Sequence, residues 1–312
     1  MFEYRLGVNV VLACDNNYAQ HLGVAIVSLI ENYKDSRNLF IHVFYSDLSP
    51  ENKLNLEITG KRDGVSLIFY NITNDLLKDC PEVNHLSRAT YARLLISELL
   101  PAEINRVIYL DSDIVVLGNI GDLYNQDLGK YSLGAVEDVM AKEILQIYFQ
   151  KDLSNYFNAG VLLINLDSWR QKDVKNRAWD FIKLNYNNIV RADQDVLNCL
   201  FKNDWRKLDN RFNLDLKRRS LETMPGPDTV ILHYSDRLKP WHYAFSGSSA
   251  SYYFFYLEKT PWKNFKFKDN NFLRKYYFIF IKKFKISALP YIPDVLLKEY
   301  RRLLWKTYKM KK

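Results

Sequence analysis

The chain has 312 residues, 48% of them hydrophobic and 26% charged, an ordinary balance for a soluble globular protein with ample core material. Its net charge of +8 is unevenly placed. From Lys263 onward fifteen Lys/Arg stand against Asp269, Asp294 and Glu299, a net of +12, so residues 1–262 carry −4 and offer no cationic face for nucleic acid.

The first apolar run, Val8 to Cys14, reads as a β-strand. As a leader peptide it fails, because the stretch before Val11-Leu12-Ala13-Cys14 is short and Asn9 interrupts it. A polar turn, Asp15-Asn16-Asn17, precedes a helix with Leu22, Ala25, Ile26, Leu29 and Ile30 on one face. Phe40 to Tyr45 is a second strand. Ser49 caps a helix with Pro50 at its first position, and Val65 to Tyr70 is a third strand. Thr90 to Leu100 is expected to be a helix ended by Pro101, followed by a buried strand from Arg106 to Leu110. Further strands are expected at 132–136, 160–165 and 229–233, and helices at 173–185 and 193–202. Alternation of this kind means an α/β fold with a mainly parallel sheet, whose sites lie at the carboxyl ends of strands. No apolar stretch approaches the roughly 18 residues of a membrane span. Cys14, Cys80 and Cys199 form no disulfide framework and no CxxC motif, which points to a reducing, cytoplasmic compartment. Aromatics reach 15%, a level that fits either carbohydrate binding or the bias of an AT-rich genome.

The sharpest chemical feature is Val107-Ile108-Tyr109-Leu110-Asp111-Ser112-Asp113-Ile114-Val115-Val116. An apolar strand delivers two carboxylates, two residues apart, and both suit one hard cation. Such an ion neutralises the diphosphate of a leaving nucleotide. The letters Asp111 to Val115 also match the nucleophile motif of DxD phosphatases. There, however, the second acidic motif follows a distant strand, whereas Gly121, Asp122 and Asp127 lie about ten residues on.

Further segments resemble glycosyltransferase family 8, which includes bacterial lipopolysaccharide galactosyl- and glucosyltransferases. They are Ala13-Cys14-Asp15-Asn16-Asn17-Tyr18, His85 to Arg93, Tyr156-Phe157-Asn158-Ala159-Gly160 onward to Asn165, Asp193-Gln194-Asp195-Val196-Leu197-Asn198, and His233-Tyr234 with Lys239-Pro240-Trp241-His242. The resemblance spans about residues 8 to 245. It implies a GT-A fold, a UDP-galactose or UDP-glucose donor, Mn²⁺ with Mg²⁺ as the alternative, and transfer with retention at the anomeric carbon. Asp111, Asp113 and His233 would hold the metal, a mixed oxygen–imidazole set that suits Mn²⁺. Ala13, Asp15 and Asn17 would lie at the nucleoside, although Asp15 and Asn17 also read as a plain Asx turn. Arg93, Asp138, Ser112, Asn158 and Ala159 would line the sugar and diphosphate, with Lys239 as a point charge on the phosphates. His85 and Thr90 would stand on the acceptor side, although His85 equally suits a solvated loop.

Gln194 would lie by the anomeric carbon. An amide is a poor nucleophile, so front-face attack is expected, with the departing phosphate taking the acceptor's proton. A covalent route through Asp193, Asp195 or Asp138 is the alternative. One departure from the family stands out. Asp236 occupies the place of a Gly whose backbone approaches the diphosphate, and its charge needs Arg237 or the metal to offset it.

The chain thus divides into a GT-A catalytic domain, 1–262, and a basic, aromatic tail, 263–312. Helical patterns at 271–286 and 294–309 set Phe, Tyr and Leu against Lys298, Arg301, Arg302 and Lys309. That is the pattern of membrane-surface binding, or else of a helix packed on the body with a solvated basic face. The expected protein is a cytoplasmic transferase at the inner face of the membrane. It would act on a lipid-linked or lipid-anchored glycan acceptor in surface-polysaccharide or lipopolysaccharide assembly. A non-catalytic sugar-nucleotide or glycan-binding protein on the same fold is the rival reading.

Overall fold

The computed structural model describes residues 3–78, 80–81, 88–141, 155–216, 224–243, 245 and 247–267. His85 and most of the tail, including both of its expected helices, lie outside the described residues.

Seven strands form the central sheet: β1 (Val8–Cys14), β2 (Leu39–Tyr45), β3 (Val65–Asn71), β4 (Arg106–Leu110), β6 (Leu133–Glu137), β7 (Phe157–Asn165) and β8 (Trp205–Lys207), in the order β3-β2-β1-β4-β7-β6-β8. Strands β3, β2, β1 and β4 run parallel, as the alternation implied. β1 is apolar almost throughout because both its faces are covered. Val8, Val10 and Leu12 enter the core layer on one side, and Val11 enters the layer on the other. In β4, Ile108 and Leu110 join the first layer, Val107 and Tyr109 the second.

Strand β7 is reversed. It pairs antiparallel with both β4 and β6, and it begins three residues earlier than its apolar pattern suggests. An antiparallel neighbour brings its amino end to the edge where parallel strands end. Gly160 therefore meets Asp111, whose N–H donates to the Gly160 carbonyl oxygen at 2.8 Å.

A second, three-stranded sheet, β5 (Ile114–Val116), β10 (Ile231–His233) and β9 (Leu214–Asp215), was not anticipated as a unit. Its strands are only two or three residues long. β10 lies antiparallel to β5 with His233 opposite Ile114, and parallel to β9 with His233 opposite Asp215.

Helix α1 (Ala19–Asn32) is wedged between the two sheets, where Ser28 Oγ accepts from Val116 N–H at 3.0 Å. Helix α2 (Pro50–Thr59) starts as its cap foretold, with Ser49 Oγ accepting from Asn52 N–H. Helices α3 (Leu166–Gln171), α4 (Val174–Asn185), α5 (Asp193–Leu200) and α6 (Ala250–Leu257) complete the covering layers.

The expected helix at Thr90–Leu100 is instead a 3₁₀ run over Arg88–Leu95 and one α-turn, Ile96–Leu99. Arg93 Nε donates to the Thr90 carbonyl oxygen, a group that a regular α-helix would offer to Leu94 N–H. A third core cluster joins Val24, Leu232, Tyr234, Trp241 and Tyr253, and Trp262 and Phe265 pack against it. Among the described residues no helix is long and apolar enough to cross a membrane.

Candidate functional site

Asp111 leaves the carboxyl end of β4, and Asp113 stands at the start of β5. His233 ends β10, and the next residue locks it in place, Tyr234 N–H donating to the Asp113 carbonyl oxygen at 3.0 Å. Ligand atoms of Asp111, Asp113 and His233 all lie within 4.8 Å of one another, the only such group among the described residues. Thus strands from two sheets, more than a hundred residues apart in sequence, bring together the three expected metal ligands. Asp122 and Asp127 are exposed and stand apart, so nothing of the phosphatase pattern assembles.

The residues fit a cation. His233 Nε2 lies 3.2 Å from Asp113 Oδ1 and 3.8 Å from Asp111 Oδ2, within ion-pair reach. Asp113 Oδ1 is buried and, apart from the His233 ring beside it, has no donor directed at it, a costly state for a carboxylate oxygen unless a positive partner completes it. Room exists because residue 160 is glycine: a Cβ there would overlap His233 Cε1 and lie 2.6 Å from Asp111 Oδ2. Burial opposes charge on Asp113, but Lys239 and His233 outweigh it and hold this carboxyl well below the usual carboxylate range. Lys239 Nζ sits 2.5 Å from Asp113 Oδ2 and also donates to the Tyr234 carbonyl oxygen at 2.6 Å. Burial likewise opposes charge on His233, yet Asp113, Asp215 and Asp111 raise its pKa above the ordinary value.

Arg93 is the hub of the other side. Its Nη2 donates to Asp111 Oδ1 at 2.8 Å and to Thr90 Oγ1, and Nη1 donates to the Ala159 carbonyl oxygen at 2.5 Å. Its guanidinium lies over the Tyr109 ring, whose hydroxyl donates to the same Asp111 Oδ1. Arg93 Nε is 2.7 Å from Asp193 Oδ2. Thr90 Oγ1 donates to Asp193 Oδ1 at 2.6 Å. Burial pushes Asp193 up to about 6 against the pull of Arg93 and Thr90.

Ala192, just before Asp193, takes a left-handed φ of 49°, a strained setting for a residue with a Cβ. That bend turns the start of α5 toward β7. Gln194 is partly exposed; its Oε1 accepts from Ala159 N–H at 3.1 Å and its Nε2 donates to Asp138 Oδ2 at 3.3 Å. Asp138 is buried and also accepts from Ala141 N–H. Asp195 does different work, accepting from Tyr156 Oη and from the N–H groups of Val190 and Arg191.

At the end of β1, Asp15 Oδ1 accepts from Asn17 and Tyr18 N–H, which is the Asx turn, with Asn17 exposed beyond it. Ser112 Oγ donates to the Ala13 carbonyl oxygen, tying the acidic motif to β1. Asp236 accepts from the N–H of Arg237 at 2.7 Å. Two residues that the sequence did not single out join the site. Tyr109 reads only as a strand residue, and Asn213, whose Oδ1 is 2.9 Å from His233 Nδ1, sits in no motif.

Comparison with known proteins extends this geometry. A family model described as Glycosyl transferase family 8 matches residues 9–244. The chain is 31% identical to General stress protein A of Bacillus subtilis (strain 168), over 82% of its own length and 94% of that protein. It is 28% identical to the lipopolysaccharide 1,3-galactosyltransferase of Salmonella typhimurium, over 82% and 79% of the two chains. Among solved structures, the galactosyltransferase LgtC in complex with donor and acceptor sugar analogs matches with a TM-score of 0.71 at 28% identity, covering 81% of this chain and 96% of LgtC.

Proposed function

This chain belongs to glycosyl transferase family 8 and has the GT-A fold, and from that premise we propose that it is a retaining, Mn²⁺-dependent hexosyltransferase using UDP-galactose or UDP-glucose. The observation that carries the reading is the convergence of Asp111, Asp113 and His233 around a space that Gly160 keeps open. When bound, the cation would neutralise charge on the departing diphosphate.

The residues around it have separable tasks. Lys239 supplies a second positive charge to the phosphates. Arg93 holds Asp111 in its ligating pose and caps the Ala159 carbonyl. Asn158 Oδ1 already accepts from Gly160 N–H and Asn213 Nδ2, so its own Nδ2 is the group left for a sugar hydroxyl. Asp15 keeps Oδ2 for the nucleoside once its Oδ1 has taken the turn amides.

For the chemical step we favour front-face transfer. The acceptor oxygen bonds to the anomeric carbon on the face that the UDP leaves, the carbon–phosphate oxygen bond breaks, and the acceptor's proton passes to that phosphate. The carboxylates suited to a covalent route are each occupied: Asp193 by Thr90 and Arg93, Asp195 by Tyr156, and Asp138 by Gln194 and Ala141. Gln194 would then serve the anomeric carbon as a polar neighbour. The acceptor is a lipid-linked or lipid-anchored glycan, in keeping with the lipopolysaccharide relative, and residues 263–312 would hold the enzyme at the cytoplasmic face of the membrane.

A screen of UDP-sugars for slow donor hydrolysis tests the reading, with turnover expected for one hexose in the presence of Mn²⁺. Asp113→Asn should abolish metal-dependent UDP binding in calorimetry while keeping the wild-type melting transition. No turnover with any donor, despite metal-dependent UDP binding, would favour a non-catalytic sugar-nucleotide-binding protein.

A further inference from the structure

We infer that Asn213 is a positioning residue that fixes the tautomer of His233 and so aims the Nε2 lone pair at the metal, a role that rests on the metal-dependent reading above. The inference follows from a chain of hydrogen bonds whose direction is set by its first member. Gly160 N–H can only donate, and it donates to Asn158 at 2.8 Å, so the Asn158 atom that receives it is the carbonyl oxygen Oδ1. That same Oδ1 lies 3.0 Å from Asn213, so the facing Asn213 atom is the amide nitrogen Nδ2. The other end of the Asn213 amide is then its oxygen, 2.9 Å from His233 Nδ1. An oxygen facing Nδ1 at that distance requires Nδ1–H. In the neutral ring the proton is thereby assigned, and Nε2 is left as a bare lone pair toward Asp111 and Asp113.

Position and burial support the assignment. Asn213 is 2% exposed and Asn158 6%, so water does not compete for the relay. Asn213 directly precedes β9, whose pairing with β10 sets Asp215 opposite His233, so the backbone holds the amide at fixed reach. The relay starts at Gly160, the residue whose missing side chain makes space for the cation. One glycine therefore opens the site and, through two amides, orients the imidazole that completes it. Partners of this kind typically control metal affinity by about 10- to 100-fold.

The test uses the full chain and two readouts. Long-range ¹H–¹⁵N correlation spectra of the metal-free protein, at alkaline pH where the ring is neutral, report the tautomer. His233 is assigned by the loss of its signals in His233→Gln. Wild type should show Nδ1 protonated and Nε2 bare. Asn213→Leu, which removes the acceptor at similar volume, should admit the Nε2–H tautomer and weaken Mn²⁺ binding in the presence of UDP by about 10- to 100-fold. Asn213→Asp keeps an acceptor for Nδ1–H, though it loses the donor toward Asn158, and should recover the tautomer. Asn213→Ala reads the same loss if the Leu variant melts early. An unchanged tautomer in both Leu and Ala variants overturns the inference. So does an Nε2–H tautomer in Asn213→Asp, because the acceptor at Nδ1 would then not be what sets it. A wild-type protein with the expected tautomer that binds no Mn²⁺ would sink the metal reading and leave the relay standing.

Discussion

Gln194 has both ends of its amide committed, one to a backbone N–H and one to Asp138. If it stabilises charge developing at the anomeric carbon, its contribution is made chiefly in the transition state. Gln194→Ala should then lower kcat by roughly 100-fold, the scale of losing one preorganised polar group, with donor KM nearly unchanged. A raised KM with kcat kept, in steady-state kinetics, would make Gln194 a binding residue instead. His233 gives a pH prediction whose sign is fixed by its raised pKa. In the metal-free protein the ring's proton contributes stability that is complete below the ordinary value of 6.5 and is lost as pH rises through the raised one. Metal needs the ring deprotonated, so Mn²⁺ affinity should fall as pH drops, by up to about tenfold per unit. Calorimetry in buffers of different ionisation enthalpy should also record proton release on binding. The two aspartates were legible in the sequence because a DxD after an apolar strand is a local pattern. Asn213 was not, because its meaning lies in a hydrogen bond across twenty residues of chain.

The element that shapes the site most is β7. Running against β4, it lays its first residues, rather than its last, beside the acidic motif. Gly160 is the point of closest approach. Gly160→Ala should destabilise the fold by about 1–3 kcal/mol through overpacking. It should weaken Mn²⁺ binding more than a substitution at exposed Asn17, with melting curves and metal titration as the measurements. Equal Mn²⁺ affinity in Gly160→Ala and wild type would show that the cradle has slack. Helix α1 was readable from its apolar face and helix α2 from its cap, because those signals are local. The direction of β7 was not, since an apolar run looks the same in either sense. Strands β5, β8 and β9 are too short to show a period, and of the second sheet only β10 was expected, within 229–233. The 3₁₀ run at Arg88–Leu95 carries a helical pattern in its sequence, and its Thr90 carbonyl is taken by the Arg93 side chain, a contact that the pattern does not announce.

At the scale of the whole molecule, the charge partition predicts behaviour at a lipid surface. With +12 from Lys263 onward, an anionic surface attracts the chain by about 1 kcal/mol per basic residue close to it, an attraction that salt screens. Full-length protein should co-sediment with anionic vesicles, less at high salt, and a chain ending near Thr260 should not. Equal binding of both forms would move the anchor elsewhere, and binding by neither would make the tail a packed element. The described part of that region, Phe265 and Phe267, already rests on Phe254 and its neighbours.

Lys239 links this side of the molecule to the centre. The segment that carries it is moored by Trp241, stacked on His21 at 3.5 Å, while its ammonium lies on Asp113. The protein thus holds an internal counter-ion where a dication would bind. A metal on the other oxygen of Asp113 would be repelled by that ammonium, and a diphosphate is an anion able to offset both charges. Each ligand therefore lowers the work required of the other. Linkage makes the effect mutual: the factor by which UDP tightens Mn²⁺ must equal the factor by which Mn²⁺ tightens UDP. In Lys239→Gln, calorimetry of each ligand with and without the other should show that shared factor shrink, even as Mn²⁺ alone binds more readily.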